Sequence, residues 1–188
     1  MLKNDLTEVV TLLKIQENKL DGVANRFSER GKQLFEKCVL AQQQKDHGRA
    51  AVYAEEIAQL RKMSRVVLRS QLSLKQAALR IETLHDFKDA GVVLGPIVNL
   101  VSQISNDLRG VVPEVANGLE RIDDMLQTMM VETGSAGGFP LDESAHSEEA
   151  RKILQEASEI SAARMRGKFP DLPEAYGQLE EKPEASGQ

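Results

Sequence analysis

Apolar residues recur along the first half of the chain with the spacing of a helical seam. Leu2, Leu6, Val9, Leu13, Gln16, Leu20, Val23 and Phe27 follow a strict 4-3 spacing, and Leu34, Cys38 and Ala41 resume it after Gly31. A period near 3.5 predicts a helix over 2–45 about 65 Å long, with one face committed to a partner helix. Gly22 and Gly31 weaken it by about 1 kcal/mol each and offer places to bend or to admit a close neighbour. A second tract, 49–87, repeats the pattern through Ile57, Leu60, Ser64, Val67, Gln71, Leu74, Ala78 and Ile81. Asp46-His47-Gly48 separates the two. Gly48 suits a positive φ and Asp46 a helix cap, so the tracts should close as an antiparallel hairpin that buries both seams. Leu68, Leu72 and Leu79 widen the second stripe beyond what a two-helix hairpin covers. That surplus calls for a further partner, either the later helices of this chain or another subunit.

Behind the hairpin the pattern is interrupted. Gly91 and Gly95-Pro96 predict a break, Ile97 to Leu108 a short helix, and Pro113 the first turn of another running to Val131. Shorter helices therefore occupy 97–131 and complete a helical core over 1–132. Residues 133–146, with Gly134-Ser-Ala-Gly-Gly-Phe-Pro140, read as a flexible linker. A helix over 147–166, capped by Ser144 or Ser147, follows as a candidate regulatory element, and the Pro- and Glu-rich 167–188 as a disordered acidic tail. The expected fold class is all-α: a long antiparallel hairpin, shorter following helices and a flexible C-terminal tail.

Composition supports this. Aromatics are 4% of 188 residues and there is no Trp, which suits helices packed along seams better than a deep globular core. The single Cys38 excludes an internal disulfide and fits a reducing compartment; its place on the apolar face suggests a buried thiol. No apolar run approaches the length that spans a bilayer, and Asp5 and Glu8 interrupt any signal-peptide pattern. The expectation is a cytoplasmic protein whose membrane contact, where it occurs, is peripheral.

Catalytic chemistry finds no foothold. His47, His85 and His146 lie far apart, and neither a phosphate loop nor a nucleophile elbow is present. Asp123-Asp124 and Glu148-Glu149 are neighbours on helices, so the two carboxylates of each pair diverge and read as solvated. No enzyme activity, metal or cofactor is expected.

Charge is distributed unevenly. Residues 1–90 carry 16 Lys/Arg against 12 Asp/Glu, and residues 91–188 carry 8 against 17. On a helical wheel Lys19, Arg26, Arg30 and Lys37 fall within about 20° of one line beside the first seam. Lys62, Arg69 and Arg80 align on the second tract, opposite its seam. Such rows fit anionic lipid, nucleic-acid phosphates or an acidic patch of a neighbouring subunit; they also fit a solvated coiled-coil flank. Absent interleaved aromatics and a net charge of −5 disfavour nucleic acid. The acidic rear half can lie over the basic hairpin in cis and act as a lid.

The stretch Ala41-Gln-Gln-Gln-Lys-Asp-His-Gly-Arg-Ala-Ala-Val-Tyr-Ala-Glu-Glu-Ile-Ala-Gln-Leu-Arg-Lys-Met63, continued by Val66-Val-Leu-Arg-Ser-Gln-Leu-Ser-Leu74 and Leu79-Arg-Ile-Glu-Thr-Leu84, resembles the ESCRT-III family, and most closely its archaeal CdvB-type cell-division members. The resemblance covers roughly 1–132. It implies a homo- or hetero-polymer built from hairpins side by side, acting on anionic membrane at the division site to remodel or sever it. It also implies a partner AAA ATPase whose MIT domain reads the C-terminal tail. Phe169-Pro-Asp-Leu-Pro-Glu174 is similar to a proline-containing MIT-interacting motif, with Leu172 and Pro173 as contacts. The alternative from the residues alone is a soluble coiled-coil adaptor or scaffold without membrane activity.

Overall fold

The computed structural model describes residues 2–84, 90–133 and 148–168. Five helices account for them: α1 Leu2–Gln43, α2 His47–Glu82, α3 Ala90–Leu108, α4 Pro113–Glu132 and α5 Glu148–Lys168. The all-α class read from periodicity holds. The described residues fall into two units, α1–α4 and α5. α5 runs two residues past the expected helix end at 166; residues 134–147 of the linker with the Ser144 and Ser147 caps, and 169–188 of the acidic tail, lie outside the described residues, as do His85, His146, Leu172 and Pro173.

α1 and α2 pair antiparallel along their length. Lys14 Nζ meets Glu82 Oε1 at 2.6 Å near the open end, and the Cys38 thiol donates to the Ala50 carbonyl at 3.5 Å near the turn. The seam residues Leu13, Leu20, Val67 and Leu74 are fully buried, so the 3.5-residue period does place one face of each helix inside. Cys38 is only half-buried. α1 runs unbroken through Gly22 and Gly31, and a methyl group at either would meet nothing closer than 3.6 Å. Neither glycine is demanded by a close neighbour.

The turn forms differently from the expected one. The left-handed residue is Lys45, at φ 58°, and Gly48 lies inside α2. Asp46 N–H donates to the Ala41 carbonyl at 2.9 Å and Lys45 N–H to the Gln42 carbonyl at 3.0 Å. These two bonds close a Schellman motif on α1. Asp46 then accepts from Arg49 N–H at 3.0 Å as the cap of α2. With Asp46 as cap, Gly48 is the second helical residue and takes an ordinary helical φ.

Gly95-Pro96 was expected to end a helix, yet α3 continues through Pro96. A proline inside a helix forfeits one backbone hydrogen bond and costs about 3 kcal/mol. Leu94, Ile97, Val101 and Leu108 are completely buried around it, and burying a few such side chains offsets that cost. α3 packs on α2, α4 packs on both α3 and α1, and together they cover the open-end half of the hairpin. The shared core takes Leu6 to Val23 from α1, Val67 to Ile81 from α2, and the apolar faces of α3 and α4. The half nearest the turn keeps only the buried Leu34, Ala41, Ala50 and Ile57.

The α1–α4 contact contains a polar flaw. Gln16 is 6% exposed on the α1 seam, and its Oε1 finds no hydrogen-bond partner among the described residues. Its carboxamide lies against Gly118 of α4, where an added methyl group would sit 2.5 Å from Nε2. The glycine is needed here for space.

Lys45→Gly should raise the unfolding free energy by about 1 kcal/mol by relieving the left-handed strain. Gly48→Ala should be neutral or stabilising, because a methyl there meets nothing closer than 3.8 Å. Urea unfolding checks both, and the reverse order would place the left-handed residue at Gly48. Gln16→Met, of similar length, should stabilise by about 1 kcal/mol by removing a buried carbonyl with no partner, read from the same urea curves.

Candidate functional site

Lys19, Arg26, Arg30 and Lys37 lie on α1 and are all exposed. Lys19 is engaged within the chain: its Nζ meets Glu114 Oε1 of α4 at 2.8 Å. That hydrogen bond and the Lys19 charge hold the Glu114 carboxyl below its ordinary value, and Arg26 adds a smaller pull. The docking of the acidic rear over the basic hairpin is thus present at one point, where α4 crosses α1. Arg26, Arg30 and Lys37 remain in solvent, but Glu29 and Glu36 share their turns and dilute the field.

On α2, Lys62 and Arg69 are exposed and Arg80 is half-buried. They belong to a larger feature. From Arg61 to Ile81 the chain contains six cations (Arg61, Lys62, Arg65, Arg69, Lys75 and Arg80) and no Asp or Glu. Among the described residues none of the six is within salt-bridge distance of a carboxylate. Arg61, Arg65 and Lys75 escape a search for cations opposite the seam, because they flank the surplus leucines. The legible signal was the missing acids.

The surplus leucines share that face. Leu68, Leu72 and Leu79 are 50%, 70% and 53% exposed with α3 and α4 in place. The later helices therefore leave the surplus apolar surface uncovered; the residues of α2 that are buried along this stretch are Val67, Ser70, Leu74, Ala77, Ala78 and Ile81 instead. At about 100° per residue, the three leucines span about 40° of arc, and Arg61 and Lys75 fall within about 20° of that sector. Leucines and long cations are thus interspersed along one face.

A second apolar feature lies nearer the turn. Phe27, Gly31, Phe35, Ile57 and Leu60 line a groove of about 410 Å³ between α1 and α2, at the edge of the shared core, against which Phe27 packs. Phe35, Val39 and Leu40 are exposed there. On α5, Ile153, Leu154, Ile160 and Met165 are exposed at helical spacing.

The chain aligns at 37% identity with the cell division protein B1 of Sulfolobus acidocaldarius over 174 residues, 93% of this chain and 81% of that protein. It aligns at 30% identity with the cell division protein B of the same organism over 178 residues, 95% of this chain and 68% of that protein. It belongs to the CdvB family of archaeal cell-division proteins. No family model matches the sequence, and no solved structure matches the fold. A role in cell division follows for this CdvB-type chain. No described helix is long and apolar enough to cross a membrane, and the described residues hold no cluster of three or more His, Cys, Asp or Glu suited to a metal ion.

Of the two acidic pairs, only Asp123 departs from the expectation of solvated faces. Asp123 is half-buried and its Oδ1 has no hydrogen-bond partner among the described residues. Burial raises its pKa, the hydrogen bond donated by Gln127 Nε2 to Oδ2 at 2.6 Å opposes this, and the charge of Asp124 adds to the rise. Glu148 and Glu149 are exposed. A carboxyl with a raised folded-state pKa weakens the fold once ionised, and that loss is relieved as pH falls through the folded pKa. Asp123→Asn should therefore raise the urea midpoint at neutral pH, with the gain disappearing under acid conditions where Asp123 is itself protonated. A gain that persists in acid would show that ionisation is not its cause. Glu114 acts in the opposite sense: its lowered pKa supports the α1–α4 contact above the ordinary carboxylate range, and the support is lost as pH falls through the folded value.

Proposed function

We propose that this CdvB-type chain is a non-enzymatic, filament-forming subunit that assembles on membranes at the division site and remodels or severs them. One observation carries the reading: apolar residues on both arms of a long, stiff hairpin stay uncovered with α3 and α4 packed against it. Phe35, Val39 and Leu40 lie near the turn and Leu68, Leu72 and Leu79 on α2. A monomer that needed nothing further would not maintain such rows in water. The cations beside them favour an anionic surface, and similarity to cell division proteins B1 and B supports the division context.

In this reading neighbouring subunits are copies or paralogues with the same hairpin. An AAA ATPase bearing an MIT domain acts on the tail around Leu172 and Pro173, drawing subunits out of the polymer. A soluble coiled-coil adaptor would share the fold but would not polymerise on lipid. Negative-stain microscopy of the full chain, with and without anionic vesicles, separates the two. Filaments or coated, deformed vesicles are the expected result. Dispersed particles and undisturbed vesicles, at low salt and high protein concentration, would leave the adaptor.

A further inference from the structure

We infer that the groove between α1 and α2 at Gly31 receives Phe139 and Leu141 of a second copy of this chain. The contact rests on the self-assembly reading above and deepens it by naming the segment that joins one hairpin to another.

The groove is a gap in the seam. The 4-3 spacing that runs from Leu6 through Phe27 puts its next position at Gly31, and Leu34 follows. Where a leucine would close the two helices together there is no side chain. Phe27, Phe35, Ile57 and Leu60 surround the resulting space of about 410 Å³. The hairpin does not require the glycine: an added methyl group would meet Leu60 Cδ2 at 3.6 Å, an ordinary contact. Glycine also weakens a helix interior, so the fold alone gives no reason for it. Phe35 stays 55% exposed at the rim. Lys32 and Arg61 line the groove as well, and both are exposed. Among the described residues neither is within salt-bridge distance of a carboxylate.

The groove spans Phe27 to Phe35, about 12 Å of α1, which suits a short segment better than a helix. Phe139-Pro-Leu-Asp-Glu143, outside the described residues, has the matching chemistry. Pro140 favours an extended backbone at Phe139. In an extended chain Phe139 and Leu141 share one side about 7 Å apart, so both fit within the groove. Asp142 and Glu143 follow directly and supply the acids that Lys32 and Arg61 lack. Other apolar segments match less well. α5 exposes Ile153, Leu154 and Ile160, but Arg164 shares their stripe at helical spacing. Phe169 follows Lys168 directly. Each would bring a cation to a cationic rim.

Reach decides between the same copy and another. Lys19 meets Glu114 and Gln16 lies against Gly118, so α4 runs antiparallel to α1. From Glu114 to its end α4 advances about 27 Å toward the open end of the hairpin. Gly31 lies about 18 Å from Lys19 in the opposite direction. The residues from Gly134 to Phe139 span at most about 21 Å, less than half of the combined distance. The Phe139 that fills a groove therefore belongs to a different copy.

Phe139→p-benzoylphenylalanine in the full-length protein, prepared as a mixture of isotopically light and heavy chains, tests this directly. Irradiation should join light chains to heavy ones, with the adducts on peptides from Phe27 to Phe35 or Ile57 to Ser64. In sedimentation equilibrium, Phe139→Ser should weaken self-association at least about tenfold, the loss expected when one aromatic side chain stays in water. Gly31→Leu, which fills the gap, should weaken association as well while raising the urea midpoint of the hairpin. A purely structural role for Gly31 would not move the two in opposite directions. Phe139→Ser leaves the helical core sequence untouched, so its result stands even where Gly31→Leu disturbs the fold. Adducts within one chain or away from the groove, with Phe139→Ser associating as the wild type does, would overturn the contact and leave the filament reading standing. A wild type that stays monomeric at every concentration, with and without anionic vesicles, would overturn both.

Discussion

The hairpin seam is the constraint from which the rest of the molecule follows. Leu13 and Leu20 of α1 and Val67 and Leu74 of α2 are sealed from water, and their burial fixes the rotation of both helices about their axes. Once α2 is held in that rotation, Leu68, Leu72 and Leu79 must face away from α1, together with the cations between them. α3 packs on α2 and α4 on α1, and Ala77, Ala78 and Ile81 toward the open end of α2 are buried as well. The exposed face is thus a geometric consequence of the buried one.

The later helices are attached with less commitment than the hairpin arms are to each other. The contact of α4 with α1 includes a buried carboxamide with an unmet carbonyl and a glycine that leaves it room. The ion pair between Lys19 and Glu114 is exposed, and solvent screens such a pair so that it contributes little. Asp123, whose burial opposes ionisation, adds a further small penalty on α4 at neutral pH. These features lie at or on α4, whose buried Val115, Ala116, Leu119, Ile122, Leu126 and Met129 supply the packing that holds it in place.

Much of this was legible in the sequence. The 4-3 spacing from Leu6 to Val23 predicted the buried side of α1, and the excess of Leu68, Leu72 and Leu79 over a two-helix stripe predicted a surface still in need of a partner. What periodicity could not supply was the choice between cis and trans cover, because it reports which residues are apolar and not which neighbour arrives first. The turn was misread at Gly48 because residue type suggested the left-handed position, whereas the hydrogen bonds to Ala41 and Gln42 impose it on Lys45. Pro96 was misread because a local breaker was weighed without the burial that overrides it. Gln16 has the spacing of an ordinary seam position and nothing local marks Gly118, since their meeting joins residues about a hundred positions apart. The α2 cations were half seen: alignment opposite the seam found Lys62, Arg69 and Arg80, while the absence of acids across the whole stretch was the stronger signal.

The account turns on which side of α2 meets water and which meets its target. Hydroxyl-radical footprinting of the full chain, alone and with anionic vesicles, measures this side chain by side chain. The prediction is that Leu74 is protected in both states, while Leu68, Leu72 and Leu79 are labelled in solution and become protected on vesicles. Labelling of Leu74 in solution, or outer leucines that stay labelled on vesicle-bound protein, would contradict it.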